Sequence, residues 1–277
     1  MTPFFRGCIF SKISFALCAN AFLASPAEAD VSLPAIFSDH MVLQCDMTAP
    51  IWGWAQPGEE VTVSIGAESK STNAEGTLYG EQLPMLINDW RGRWGQGDFP
   101  FAWVQLPNFM KPTTEPVESS GWALTRDSMR KTLALPKTGM TVNTDIGDAQ
   151  DIHPKHKQEI GRRLALWALS TVYGQDRAYS GPLYDKLEIK SGHVTLSFTH
   201  THGGLVAKGG DLKGFAIAGA DRKWAWASAQ IEGDKVWLTN DEIKEPVAVR
   251  YSWANNPDGT LCNGAGLPAS PFRTDNW

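Results

Sequence analysis

Apolar and polar positions divide the chain into three stretches of different period, strand-like, then helical, then strand-like again. Residues 31–65 read as short strands broken by turns. Met41-Val42-Leu43, Ile51-Trp52-Gly53-Trp54 and Val61-Thr62-Val63-Ser64-Ile65 are strand-like, with a turn at Gln56-Pro57-Gly58. About 35 residues cannot bury a full core alone, so this module must lean on something else. From residue 79 the period becomes helical. Leu83, Leu86, Ile87, Trp90 and Trp94 follow one another at spacings of 3, 1, 3 and 4, which predicts one apolar helix face. FAWVQL (101–106) suits a buried strand, 119–133 a helix, and Gly139-Met140-Thr141-Val142 the lead of a second strand. Pro154 is expected to open a long helix to about Val172, with Ile160, Leu164, Trp167 and Ala168 inward and Arg162 and Arg163 outward. Strand, helix, strand, helix is an α/β pattern.

From residue 185 the alternation returns to period two. Leu187/Ile189, a turn at Ser191-Gly192, then Val194/Leu196/Phe198 is a hairpin signature. Phe215/Ile217, Trp224/Trp226, Val236-Trp237-Leu238 and Val247/Val249/Tyr251 continue it, with turns at Asp221-Arg222 and Gly233-Asp234. A β-sandwich of about 90 residues is the natural reading of this stretch.

The N-terminal 29 residues stand apart. Arg6 and Lys12 precede a short apolar core (13–24), and Ala27-Glu28-Ala29 is a small-residue cleavage site, so a secretory signal is expected and a secreted or periplasmic product with it. A run of about 12 apolar residues is shorter than the roughly 20 that span a bilayer, and no membrane span is expected after cleavage. The domain boundaries that follow are 1–29 for the signal, 30–76 for an N-terminal β module, 77–180 for an α/β domain and 181–277 for a C-terminal β domain.

Composition changes this picture little. The 277 residues carry 25 Lys+Arg against 30 Asp+Glu, a formal net charge of −5, which offers no basic footprint for nucleic acid. Of four cysteines, Cys45 and Cys262 lie beyond the signal; one long-range disulfide and two free thiols are both open. Their spacing is no zinc motif.

Candidate chemistry concentrates in TDIGDAQDIHPKHKQEIGRRLALWAL (144–169). A loop with Asp145, Asp148, Asp151 and His153 follows a strand and runs into a helix, with His153 expected in the N-cap region and Pro154 at the first helical position. Imidazole with an orienting carboxylate is what a general base needs to activate a serine; a solvated acidic capping loop is the plain alternative. His153-x-x-His156 and His200-Thr201-His202 each supply two imidazoles and no third ligand, so no metal is expected. Lys208-Gly209-Gly210 lacks the spacing of a phosphate-binding loop, and nothing calls for a cofactor. Ser69, in Gly66-Ala67-Glu68-Ser69, is the one serine in a glycine turn, though without G-x-S-x-G spacing.

Several blocks together carry a family resemblance. SLPAIFSDHMVLQCDMTAPIWGWAQPGEEVTVSI (32–65), YGEQLPMLINDWRGRWGQGDFPFAWVQLPNF (79–109), the 135–169 run, and the C-terminal GLPASPFRTDNW occur in the order in which bacterial sialate O-acetylesterases carry similar blocks. These are secreted carbohydrate esterases of the SGNH-hydrolase type. The resemblance implies a three-layer αβα, flavodoxin-like catalytic domain, here partial, flanked by all-β modules. It implies hydrolysis of O-acetyl esters of sialic acids or related sugars by a serine, a histidine and an aspartate. His153 matches the family's histidine. The SGNH pattern places the acid three residues earlier, where this chain has Gln150, so Asp151 is the chosen partner and Asp148 the alternative. The family's nucleophile segment, G-Q-S-N-M, is missing from this chain; the gap falls between about residues 70 and 80. GAESKSTNAEG (66–76) is then either a relic of a later serine-bearing block or, the favoured reading, a hairpin of the N-terminal module. A non-catalytic sugar-binding or structural remnant is the rival to an active esterase.

Overall fold

The computed structural model describes residues 72–190 and 192–277. The expected signal, the N-terminal β strands, Ser69, Cys45 and the turn residue Ser191 lie outside the described residues.

Helix α1 (Thr72–Trp94) leads into β1 (Phe101–Val104), α2 (Gly121–Lys131) and β2 (Thr138–Thr141). The strands pair in parallel, Phe101 opposite Thr138 and Val104 opposite Thr141. Ser120 caps α2, its hydroxyl accepting from the Ala123 N–H at 3.1 Å. Leu83 and Ile87 of α1, Trp103 of β1, Met129 of α2 and Met140 of β2 form one buried cluster, completed by Val142. On β2, Gly139 is required by contact: a Cβ there would overlap the Trp167 indole of α3 (Lys157–Trp167). A π-helical turn, Ala168–Val172, ends α3.

Four expectations are corrected here. Residues 72–76 belong to α1 and not to a hairpin, so the boundary expected at 76/77 falls inside a helix. The Ser128 hydroxyl of α2 donates to the Gly76 carbonyl at 2.7 Å, docking that first stretch of α1 on α2. The apolar stripe of α1 is not uniformly buried: Leu86, Trp90 and Trp94 are 45 %, 43 % and 62 % exposed. The strands and helices packed on α1 bury only the Leu83–Ile87 side, while Trp90 and Trp94 stack on each other, Trp94 stacks on Phe99 and Trp90 meets Phe101 edge-on. Third, α3 begins at Lys157 and not at Pro154, because His156, with φ −78° and ψ 50°, is not yet helical and serves as the N-cap residue. Fourth, Arg163 points inward and is buried, an orientation its carboxylate partners make possible.

The C-terminal segment contributes β3 (Leu183–Lys190), β4 (His193–Thr199), β5 (Leu205–Ala207), β6 (Phe215–Ala218), β7 (Trp224–Trp226), β8 (Ser228–Glu232), β9 (Lys235–Thr239), β10 (Ala248–Tyr251), β11 (Leu261–Asn263) and β12 (Phe272–Arg273). They form antiparallel sheets in the orders β3-β4-β9-β8 and β12-β10-β6-β7, with β11-β5 as a pair. Val194, Leu196 and Phe198 of β4 and Val236 and Leu238 of β9 share one core with Ile217 of β6, Val249 and Tyr251 of β10 and Phe272 of β12. In β4 and β9 the alternation that predicted strands is the alternation of core and solvent, whereas Ile189 of β3 is exposed and β6 and β10 are buried throughout.

Residues 72–277 form one compact unit, stitched by hydrogen bonds between the α/β and β segments. Gln105 donates to the Ser270 hydroxyl at 3.1 Å, and Arg250 donates to the carbonyls of Val117 and Glu118 at 3.1 and 2.8 Å. Arg126 is fully buried. It donates to the carbonyls of Leu106 and Pro107 on one side and of Ala254 and Asn255 on the other, at 2.6–2.9 Å. Burial pulls its pKa down to about 9, and four carbonyl acceptors hold the guanidinium in place. Among the described residues no helix is long and apolar enough to cross a membrane.

Candidate active site

Parallel strands leave their carboxyl ends as the place where loops gather, and both loops of interest emerge there. The β1 loop carries Asn108; the β2 loop, 142–156, carries the aspartates and His153. The β2 loop is anchored at its root. Arg163 of α3 donates to Asp145 Oδ1 and Oδ2 at 2.7 and 2.9 Å, to Glu159 Oε1 at 2.8 Å and to the Val142 carbonyl. Lys208, beyond β5, reaches Asp145 Oδ2 at 3.4 Å. Burial pushes the Asp145 carboxyl upward, but the hydrogen bonds and charge of Arg163, with Lys208, outweigh it and hold the pKa below its ordinary value. Two residues further, the Gly147 N–H donates to Asn108 Oδ1 at 2.6 Å.

At the tip, Asp151 Oδ1 accepts the His153 N–H at 2.9 Å and faces His153 Nδ1 at 3.3 Å. The backbone hydrogen bond from His153 is the largest influence holding the Asp151 pKa below its ordinary value, so the carboxylate is ionised at neutral pH. A carboxylate at Nδ1 favours the tautomer with its proton there and leaves Nε2 as the acceptor. The His153 side chain is 83 % exposed. The arrangement is an imidazole with a carboxylate at Nδ1, open to solvent, and it has the geometry a general base and its orienting acid would need.

The alternative acid, Asp148, is not brought to the imidazole: it accepts the Gln150 N–H at 2.9 Å and pairs with Lys155 at 3.3 Å. Of the other imidazoles, His156 stands at the α3 N-cap without a side-chain capping bond, and the rings of His200 and His202 stack 6.2 Å apart. Among the described residues no group of three or more His, Cys, Asp or Glu is arranged to hold a metal. Cys262 is a buried free thiol. A cavity of about 360 Å³ lies between Glu118–Ser120 and the Arg273–Trp277 segment; no residue of the His153 loop lines it. The sequence reading missed Asn108 and Arg126, whose partners lie across the fold, and misjudged Arg163. The one available signal was Asp145, a carboxylate in the same loop that needs a cation.

No family model matches the chain. The sialate O-acetylesterases of Pongo abelii and Homo sapiens are 31 % and 30 % identical to it, each over 85 % of this chain and 49 % of their own length. The mouse sialate O-acetylesterase is 31 % identical over 70 % of this chain and 40 % of its own. The chain belongs to the sialate O-acetylesterase family. It spans about half the length of the curated relatives it matches. The crystal structure of a carbohydrate acetylesterase from Xanthomonas citri superposes with a TM-score of 0.70 at 46 % identity, covering 73 % of this chain and 47 % of that one. The chain's mixed α/β architecture thus has a counterpart in a solved carbohydrate acetylesterase.

Proposed function

We propose that the protein is an exported hydrolase that removes O-acetyl groups from sialic acids or related acetylated sugars. His153 acts as general base and Asp151 orients it. The carrying observation is the Asp151–His153 pair at the carboxyl end of β2, in a chain 46 % identical to a carbohydrate acetylesterase. In this reading β1, β2 and the three helices are part of a three-layer SGNH domain, and the two four-stranded sheets are a C-terminal β-sandwich. The attacking hydroxyl would lose its proton to His153 Nε2 as it adds to the acetyl carbonyl. The imidazolium would then return that proton to the departing sugar oxygen.

A specific observation favours a second reading, a non-catalytic sugar-binding remnant. Among the described residues the parallel sheet has two strands, Trp90 and Trp94 of α1 are exposed, and no serine hydroxyl bonds His153. A triad without its nucleophile keeps only residual catalysis.

One experiment separates the two. The purified protein is offered 9-O-acetylated sialic acid and an O-acetylated neutral sugar, and acetate release is followed beside labelling by a serine-directed fluorophosphonate. Acetate release together with a single labelled serine supports the esterase and identifies its nucleophile. Sugar binding in a folded protein, with neither release nor label, supports the remnant.

A further inference from the structure

The geometry points to Asn108 as the positioning residue of the His153 loop, with Asn256 orienting its carboxamide; the inference rests on the esterase reading of that loop. Beyond Gly147, the side chains of residues 148–155 make hydrogen bonds and ion pairs only within that stretch, and one backbone bond, from the Lys157 N–H to the Lys155 carbonyl at 2.9 Å, joins its far end to α3. Gln150 and Lys155 bond Asp148, and His153 bonds Asp151. The position of the imidazole is therefore set by what holds the loop at its two ends, and the upstream end depends on side chains. Asp145–Arg163 ties the loop root to α3. The Gly147–Asn108 bond, 2.6 Å, ties the loop to the carboxyl end of β1. The approach is close enough that a Cβ at residue 147 would overlap the Asn108 carbonyl and carboxamide oxygens.

Asn108 can serve this purpose because its own carboxamide is fixed. Its Nδ2 donates to Asn256 Oδ1 at 2.9 Å, and Asn256 Nδ2 donates to the Met110 carbonyl at 2.6 Å. The flanks of both asparagines, Leu106-Pro107 and Ala254-Asn255, are clamped by the four carbonyl bonds of buried Arg126. The result is a relay: a rigid β-segment loop orients Asn256, Asn256 orients Asn108, and Asn108 fixes the backbone six residues before the imidazole. The C-terminal β segment thus takes part in placing the catalytic base, without touching it. Misplacement of a catalytic group by about 1 Å is enough to cost a large factor in rate.

The test compares Asn108→Ala, Asn108→Asp and Asn256→Ala in the full chain. Asn108→Asp keeps an acceptor for the Gly147 N–H but loses the donor to Asn256 Oδ1, so it is the partial-rescue variant. Three readouts are taken: kcat and KM for acetate release, amide hydrogen exchange at Gly147, and the ring resonances of His153. Expected for Asn108→Ala is a fall in kcat on the order of 10- to 100-fold with KM little changed, faster exchange at Gly147 and shifted His153 resonances. Asn256→Ala and Asn108→Asp, which both lose the Asn108–Asn256 bond but keep an acceptor for Gly147, are each expected to do the same to a smaller degree. Unchanged Gly147 exchange and His153 resonances in a folded Asn108→Ala protein would overturn the proposal. So would an equal loss of kcat in the Ala and Asp variants. If the parent protein releases no acetate, the esterase reading fails, and the exchange and resonance data still decide whether Asn108 holds the loop.

Discussion

Replacing Arg163 with methionine removes the buried cation on which the root of the His153 loop depends. The guanidinium makes two bonds to Asp145, one to Glu159 and one to the Val142 carbonyl. Its side chain is 6 % exposed and that of Asp145 15 %. Taking one partner from a buried pair costs about 3–5 kcal/mol. Lys208 stays at 3.4 Å from Asp145, and Glu159 keeps its bonds to Arg162, so the lower end, about 3 kcal/mol, is the expected loss. For a chain of this size that lowers Tm by roughly 6–12 °C. The pH dependence has a definite sign. The folded pKa of Asp145 is depressed below its ordinary value of 3.8, so its contribution is present above that value and lost as pH falls through the folded pKa. Without Arg163 the depression disappears. The gap in Tm between parent and variant is therefore widest near neutrality and narrows as pH falls below the ordinary carboxylate value of 3.8. Calorimetric melts of the parent, Arg163→Met, Asp145→Asn and the double variant, at several pH values, measure both the loss and the coupling. A Tm change under about 2 °C, or a gap that does not vary with pH, would refute the reasoning.

Two further outcomes concern packing. Tyr251→Phe strips the acceptor from the buried Leu261 N–H, which the phenol oxygen meets at 3.0 Å; about 1–3 kcal/mol of stability should vanish from the urea unfolding curve, and an unmoved midpoint would contradict it. Gly139→Ala drives a methyl into the Trp167 indole and should cost about 1–3 kcal/mol, relieved when Trp167→Leu is added; a lone alanine variant of full stability would show that the strand and α3 are farther apart.

What the sequence reveals and what it hides divide along a physical line. The β4 and β9 strands were legible because Val194, Leu196, Phe198, Val236 and Leu238 face one core and their neighbours face water, which is a period of two in any single sequence. The helix of residues 83–94 was legible as a helix, but its periodicity says which residues share a side, not whether anything covers that side; Trp90 and Trp94 show the difference. Asp151 and His153 were readable as a pair because they lie two positions apart and a turn brings them together. Arg163 was read as a surface charge because its partner, Asp145, is 18 positions away on a different element. Asn108 left no local trace at all, since its two bonds reach residues 39 and 148 positions away. Local pairs write themselves into spacing; contacts made by topology do not.

The most direct test of the site is acetate release from a 9-O-acetylated sialic acid by the parent and by His153→Ala, assayed side by side with matched circular dichroism spectra. The account predicts release by the parent and a loss on the order of 10³-fold or more in the variant. Equal release by the two would contradict it, because the Asp151–His153 pair would then have no part in breaking the ester.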